Sequence, residues 1–237
     1  MSTKKEHISD KSLNRKSIYS LTPFTLIDYP DKTSCVLWFA GCNMRCSYCY
    51  NPEIVLGKGK LSFYDIRDFL YSRRDLLDGV VLSGGECLLH DSVKDILIAI
   101  KEMKFLIKID TNGSRPKILK QFINNQLIDY VSLDFKATKA KTFQITKADF
   151  YAEFVICLGI LLKSDIQFEV RTTVHSALLD QNDIDEMVIT LTELGYRGKY
   201  YIQHYRNESE TIGNPGPSFI NFNVKDCINQ DIQIILR

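Results

Sequence analysis

The chain has 237 residues, room for one large domain or two small ones, and its 45% hydrophobic and 25% charged residues are the balance of an ordinary globular protein. Thirty Lys and Arg against 29 Asp and Glu leave a formal net charge of +1, which gives no electrostatic case for nucleic acid or a membrane surface as partner. No apolar run is long enough to span a bilayer, and residues 1–16 are polar without an apolar signal core. A cytoplasmic protein is therefore expected, in which the seven cysteines serve metal binding or catalysis rather than a disulfide framework.

In chain order, residues 1–17 read as a flexible lead-in, 18–206 as the core domain and 207–237 as a polar tail that could pack on the core. Six short β-branched, apolar runs read as strands: Cys35–Phe39, Val80–Ser83, Leu106–Asp110, Tyr130–Phe135, Phe168–Thr173 and Tyr200–His204. Their near-continuous apolar character is that of strands covered on both faces. Helical periods fall between them, at about Phe63–Leu77, Ser92–Met103, Lys117–Asn125, Phe150–Leu162 and Asp183–Leu194. Ser62 and Asp91 suit N-caps, and Gly195 stands where a helix C-terminus wants glycine. The tail carries a turn signal, Gly213-Asn214-Pro215-Gly216-Pro217, and a last apolar run, Ile232–Leu236, suited to an edge strand. Repeated β–α units dictate parallel strands with right-handed crossovers. Six units fall short of a closed barrel, so the expected fold is α/β, a partial (β/α)6 open TIM-like barrel of parallel strands. Its functional residues should gather at the carboxyl ends of the strands.

The first strand runs into Gly41-Cys42-Asn43-Met44-Arg45-Cys46-Ser47-Tyr48-Cys49. Three residues, then two, separate the cysteines, so one compact loop can turn three thiolates toward one centre. Thiolates are the ligands iron–sulfur clusters select, and most [4Fe–4S] clusters take four. Three would leave one iron free to bind a small molecule through an amine and a carboxylate. Zinc held by Cys42, Cys46, Cys49 and a distant His90, His175 or His204 is the other reading of the same residues. Cys35, Cys157 and Cys227 read as inert core or tail residues.

The later strand ends are also polar. Gly84-Gly85-Glu86 allows close backbone approach and offers a carboxylate to an ammonium group. Asp110-Thr111-Asn112-Gly113 reads on its own as an Asx-type turn. Asp134 and Lys136 share a face because strand side chains alternate, as do Arg171, Thr173 and His175 if the strand continues that far. Gln203, His204 and Tyr205 could line the rim.

The CxxxCxxC loop after a first strand, with the aromatic Tyr48 before its third cysteine, resembles the radical S-adenosylmethionine (SAM) superfamily. The resemblance implies the radical SAM fold, in which the methionine amine and carboxylate of the cofactor chelate the open iron. It also implies reductive cleavage to a 5′-deoxyadenosyl radical that takes hydrogen from the substrate. By the same resemblance Gly84, Gly85 and Glu86 hold the cofactor's amine, Lys136 reaches its carboxylate, and Tyr48, Asp110, Asp134, Arg171 and His175 lie against it. A monovalent cation near Asp110 and Asp134 is a further implication. The lead-in Leu21-Thr22-Pro23-Phe24-Thr25-Leu26-Ile27-Asp28-Tyr29-Pro30-Asp31, read from its residues alone as an edge strand packing the barrel mouth, resembles that of anaerobic ribonucleoside-triphosphate reductase activating proteins, as does Asn51-Pro52-Glu53. The resemblance spans about residues 18–206 and departs from the pattern at Tyr50, commonly His, and at Cys87, commonly Pro. It implies a glycyl-radical enzyme as partner, an anaerobic ribonucleotide reductase above others, and a flavodoxin- or ferredoxin-type electron donor. The alternatives are a small-molecule enzyme of the 7-carboxy-7-deazaguanine synthase type and a non-enzymatic, metal-stabilised binding module.

Overall fold

The computed structural model describes residues 9–208, 210–219 and 232–237. Among the described residues eight strands follow one another across a single sheet in sequence order: β1 (Ile18–Thr25), β2 (Ser34–Phe39), β3 (Gly79–Gly84), β4 (Leu106–Thr111), β5 (Tyr130–Asp134), β6 (Gln167–Val174), β7 (Lys199–His204) and β8 (Gln233–Leu236). All pairs from β2 to β8 are parallel, and β1 alone is antiparallel. The helices are α1 (Asp10–Leu13), α2 (Pro52–Leu56), α3 (Phe63–Ser72), α4 (Val93–Glu102), α5 (Pro116–Asn124), α6 (Thr142–Thr146), α7 (Tyr151–Leu162) and α8 (Gln181–Glu193). Such a run of βα units, with β1 and β8 left as edges, is the expected open partial barrel. Among the described residues no helix is long and apolar enough to cross a membrane.

One face of the sheet is apolar. Leu37, Leu82, Ile107, Ile109, Leu133 and Ile202 point to the helices and join Ile96, Phe122, Leu158 and Leu191 in one continuous core. Each such side chain contributes about 1.5–3 kcal/mol by burial, which fixes which face of every strand turns outward. The opposite, concave face corrects the expectation of apolar strands on both sides. Only its floor is apolar, where Tyr29, Val36 and Val81 cluster with Trp38, Leu106 and Tyr130 packed against them. Above that floor β4, β5 and β6 alternate: Lys108 and Asp110, Ser132 and Asp134, Glu169 and Arg171 point inward between apolar neighbours.

Several boundaries differ from expectation. α3 stops at Ser72 rather than Leu77, because Arg73, Arg74 and Asp75 are exposed and offer no apolar position to continue the packed face. Its N-cap is Ser62 as expected, in a reciprocal capping box with Asp65. Asp91 is not a cap. The N-cap of α4 is Ser92, and Asp91 sits on the surface beside Arg15. α8 begins two residues early because Asp180 caps it and Asp183 closes the box. The lead-in forms β1, an edge strand, but not at the mouth: Thr25 pairs with Ser34, so Phe24 to Tyr29 lie at the amino ends of the strands, opposite the carboxyl ends. There Tyr29 seals the floor. Within the expected N-terminal lead-in, Asp10–Leu13 are helical and Leu13 is buried; residues 1–8 and Cys227 lie outside the described residues.

Candidate active site

The cysteine loop leaves β2 through Gly41, whose φ of +81° only glycine adopts without strain. Its backbone is fixed from three sides. The amide of Gly41 donates to Ile54 O (2.8 Å). The amides of Arg45 and Ser47 donate to Thr146 O (2.7 Å) and Ile145 O (3.1 Å), using carbonyls that the short α6 leaves free at its end. Carbonyls of Ser47 and Cys49 accept from Gly213 (2.9 Å) and Ile212 (3.2 Å), so the tail segment packs on the loop's other side. The Arg45 guanidinium folds back onto the carbonyls of Cys42 and Met44, each at 2.7 Å.

Cys46 is buried, and Cys42 and Cys49 are partly so. Burial pushes the Cys46 thiol up to about 12, with nearby Lys136 opposing and the Cys42 and Cys49 sulfurs adding to the rise. Burial likewise raises Cys42. A group held this way ionises only when a metal compensates the charge. A four-iron cubane takes each thiolate on a separate iron. The donor set, three mutually interacting soft sulfurs on one braced loop, fits the cubane.

The Gly84-Gly85-Glu86 turn locks onto this loop. A Cβ on Gly85 would lie 1.9 Å from Gly41 O, and one on Gly84 (φ +113°) 2.5 Å from Phe39 N. The glycines are thus required by backbone-to-backbone packing, and Glu86 N donates to Gly41 O (2.9 Å). The Glu86 carboxylate is fully buried and accepts from Leu88 N (3.1 Å), Asn112 N (2.7 Å) and the Thr111 hydroxyl. Burial pushes it up to about 7 against those donors. Through these three donors Glu86 ties the ends of β3 and β4 together.

Across the concave face runs one ion network. Asp110 takes Lys108, Arg171 (3.1 Å) and Ser83 Oγ (2.9 Å); Asp134 takes the Arg171 Nε and Lys136 (2.9 Å). Arg171 therefore bridges β4 and β5 from β6. Burial alone would raise the Asp110 carboxyl, but Arg171 and Lys108 outweigh it and hold it at about 2. Asp134 is lowered in the same way, its burial overcome by Arg171 and Lys136. Nothing among the described residues supports the monovalent cation expected near Asp110 and Asp134. The guanidinium of Arg171 occupies the place between the two carboxylates, which Lys108 and Lys136 also pair. Lys136 also lies close to Tyr48 and Cys46, whose buried hydroxyl and thiol bias it further toward its charged form after Asp134.

Lys108, Ser132 and Glu169 were missed by sequence reasoning. Their signal was the two-residue alternation in β4–β6 that puts them on the face of Asp110, Asp134 and Arg171. His175 stands apart from the network. It is fully buried, with Nε2 2.9 Å from Gly216 O and Nδ1 accepting from Ala177 N (3.1 Å). Its ring meets Tyr205 edge-on, so it holds the tail segment rather than an open face. Tyr50 stacks on Tyr205 and its hydroxyl accepts from Arg206 N (2.6 Å), which anchors the loop's exit to the end of β7. Cys87 is fully buried in the turn after Glu86, its thiol toward the carbonyls of Leu82 and Asp110. At the carboxyl ends of β4 and β5 a shallow recess with room for about one water molecule lies beside the loop, lined by Met44, Asn112, Asp134, Lys136, Tyr151 and Phe154 among others.

An open parallel barrel with a three-cysteine loop at its carboxyl edge and a charged inner face defines a class, and the family comparison agrees: residues 36–193 match the radical SAM superfamily. The chain belongs to that superfamily and is a radical SAM enzyme. It is 33% identical over 195 residues, 74% of this chain and 75% of the relative, to a protein of Methanocaldococcus jannaschii that carries the name glycyl-radical enzyme activating enzyme. It is 33% identical over 126 residues to the pyruvate formate-lyase-activating enzyme of Clostridium pasteurianum, covering 50% of this chain and 52% of that one. A 7-carboxy-7-deazaguanine synthase of Clostridium acetobutylicum is 30% identical over 100 residues, 41% of this chain and 44% of the other. Among solved structures, Streptococcus suis SuiB bound to S-adenosylmethionine superposes with a TM-score of 0.65 at 14% identity, over 83% of this chain. This chain spans about half of SuiB, 48% of its length, and the likeness bears on the fold.

Proposed function

We propose that this enzyme installs a radical on a backbone glycine of a partner protein, and that the partner is an anaerobic ribonucleoside-triphosphate reductase. The observation that carries the reading is the long match to a relative named for glycyl-radical enzyme activation, which covers three quarters of both chains where the deazaguanine synthase match covers less than half. The lead-in Leu21–Asp31 favours the reductase among possible partners.

On this reading Cys42, Cys46 and Cys49 hold a [4Fe–4S] cluster, and residues 18–206 form the catalytic domain with the tail packed on its loop. The cluster and S-adenosylmethionine supply, when bound, a reductive carbon–sulfur cleavage driven by a flavodoxin- or ferredoxin-type donor. Lys136, kept charged by Asp134, offers its ammonium to the cofactor's carboxylate. Glu86 supplies a buried negative charge toward the amine and fixes the Gly84–Gly85 turn on which the loop rests. Asp110 and Arg171 hold Asp134 and Lys136 in place, Tyr48 covers the loop between Cys46 and Cys49, and His175 closes that end of the site by retaining the tail.

Anaerobic incubation of iron-loaded enzyme, reductant and S-adenosylmethionine with the reductase should give a glycyl-radical EPR doublet. A reduced, cofactor-bound enzyme that yields no such signal, but turns over a free heterocycle, reverses the assignment in favour of the small-molecule reading.

A further inference from the structure

Asn112 was read from sequence as a turn residue, and its Oδ1 does accept from Ser114 N (3.0 Å) in an Asx turn. That leaves its side-chain amide free to act elsewhere. Nδ2 points across to the cysteine loop, 2.9 Å from Asn43 Oδ1 and 3.8 Å from Cys42 Sγ. The Asn112 backbone amide is pinned by Glu86, and Asn43 Nδ2 is tied in turn to Ser114 Oγ (2.8 Å). Asn112 is 5% exposed, so water cannot compete for these donors. The same sulfur accepts from Met44 N at 3.4 Å. Among the described residues both N–H donors onto a cluster-loop sulfur fall on Cys42.

Hydrogen bonds to a thiolate withdraw charge from it and favour the more negative, reduced state of the cluster it ligates. We infer that Asn112 is a redox-tuning residue: its side-chain amide, aimed at Cys42 from the end of β4, raises the potential of the cluster and makes it reducible by a biological one-electron donor. The inference rests on the cluster placed on Cys42, Cys46 and Cys49, and does not depend on the partner protein.

The test is an EPR-monitored potentiometric titration of the iron-loaded full chain without partner. Asn112→Leu, a neutral near-isostere, removes both Nδ2 donors without adding charge; Asn112→Ala removes the side-chain bonds altogether. Each should lower the ratio of reduced to oxidised cluster at a fixed potential by about tenfold, the size of one charge-assisted hydrogen bond, which for a one-electron couple is a shift of about 59 mV to the negative. Ser114→Ala, which leaves the sulfur donors in place, should not move the midpoint. In the unsubstituted chain, asparagine labelled with 15N at the side-chain amide should show hyperfine coupling to the reduced cluster, a readout that needs no variant to fold. An iron-loaded Asn112→Leu with an unmoved midpoint, or no 15N coupling in the unsubstituted chain, overturns the inference. A chain that loads no iron overturns instead the cluster assignment beneath it.

Discussion

The two faces of the sheet are built from the same strands and obey different rules. On the convex face Leu82, Ile109 and Leu133 are wholly buried and interchangeable in kind: any well-fitting apolar side chain would do. On the concave face Lys108, Asp110, Asp134, Lys136 and Arg171 form a network in which Arg171 from β6 links the Lys108–Asp110 pair of β4 to the Asp134–Lys136 pair at the end of β5. Buried ion networks add little net stability over apolar packing, yet breaking one is costly. The outer face therefore holds the fold, and the inner face spends stability on a fixed electrostatic surface beside the cysteine loop.

Substitutions separate the two. The largest effect is expected at the loop itself: Ala at Cys42, Cys46 or Cys49 should abolish iron loading and S-adenosylmethionine cleavage, read by iron analysis and by product chromatography, while the fold, carried by the convex face, persists by circular dichroism. Arg171→Met removes the cation shared by Asp110 and Asp134, leaving each with its lysine alone, and should cost about 3 kcal/mol in chemical denaturation together with cofactor cleavage. Leu133→Ala on the opposite face should cost a similar 2–5 kcal/mol yet leave cleavage per folded molecule intact. Equal loss of cleavage in the two would erase the distinction between the faces.

Gly85→Ala forces a Cβ onto Gly41 O and should cost about 3 kcal/mol while loosening the cysteine loop, read as iron lost to a chelator. Acid titration of the metal-free chain gives a smaller, signed effect. Asp110 is held at about 2 against an ordinary 3.8, so its contribution of about 2 kcal/mol is complete above pH 3.8 and is lost as the pH falls toward 2; Asp110→Asn should flatten that limb. Glu86 acts in the opposite sense. Raised to about 7 by burial, it lowers stability as pH rises from 4.5 through 7. The smallest effect is expected at Ser62→Ala, about 1 kcal/mol from the lost cap of α3, with iron loading unchanged.

Much of this was legible in the sequence. The cysteine spacing, the repeated βα units and the polar strand ends are local signals, and the parallel sheet follows from them. The inner face was half read. Asp110, Asp134, Lys136 and Arg171 drew notice because they sit near strand ends, whereas Lys108 and Glu169, two residues earlier in their strands, passed as parts of apolar runs. Side-chain pairings were not legible at all. That Arg171 stands between Asp110 and Asp134, that Glu86 binds Thr111 and Asn112, and that His175 faces Gly216 depend on strand register and on where the tail returns, which are properties of the folded sheet rather than of any segment. Asn112 shows the limit well: its turn was readable, and its reach to Cys42 was not.

Iron and acid-labile sulfide analysis of the anaerobically reconstituted chain, with EPR of the reduced protein before and after S-adenosylmethionine, tests the central claim most directly. About four irons per chain should be found, with a cluster signal that changes when the cofactor is added and that disappears in Cys46→Ala. One zinc per chain without iron, or a cluster signal indifferent to both the cofactor and Cys46→Ala, would contradict it.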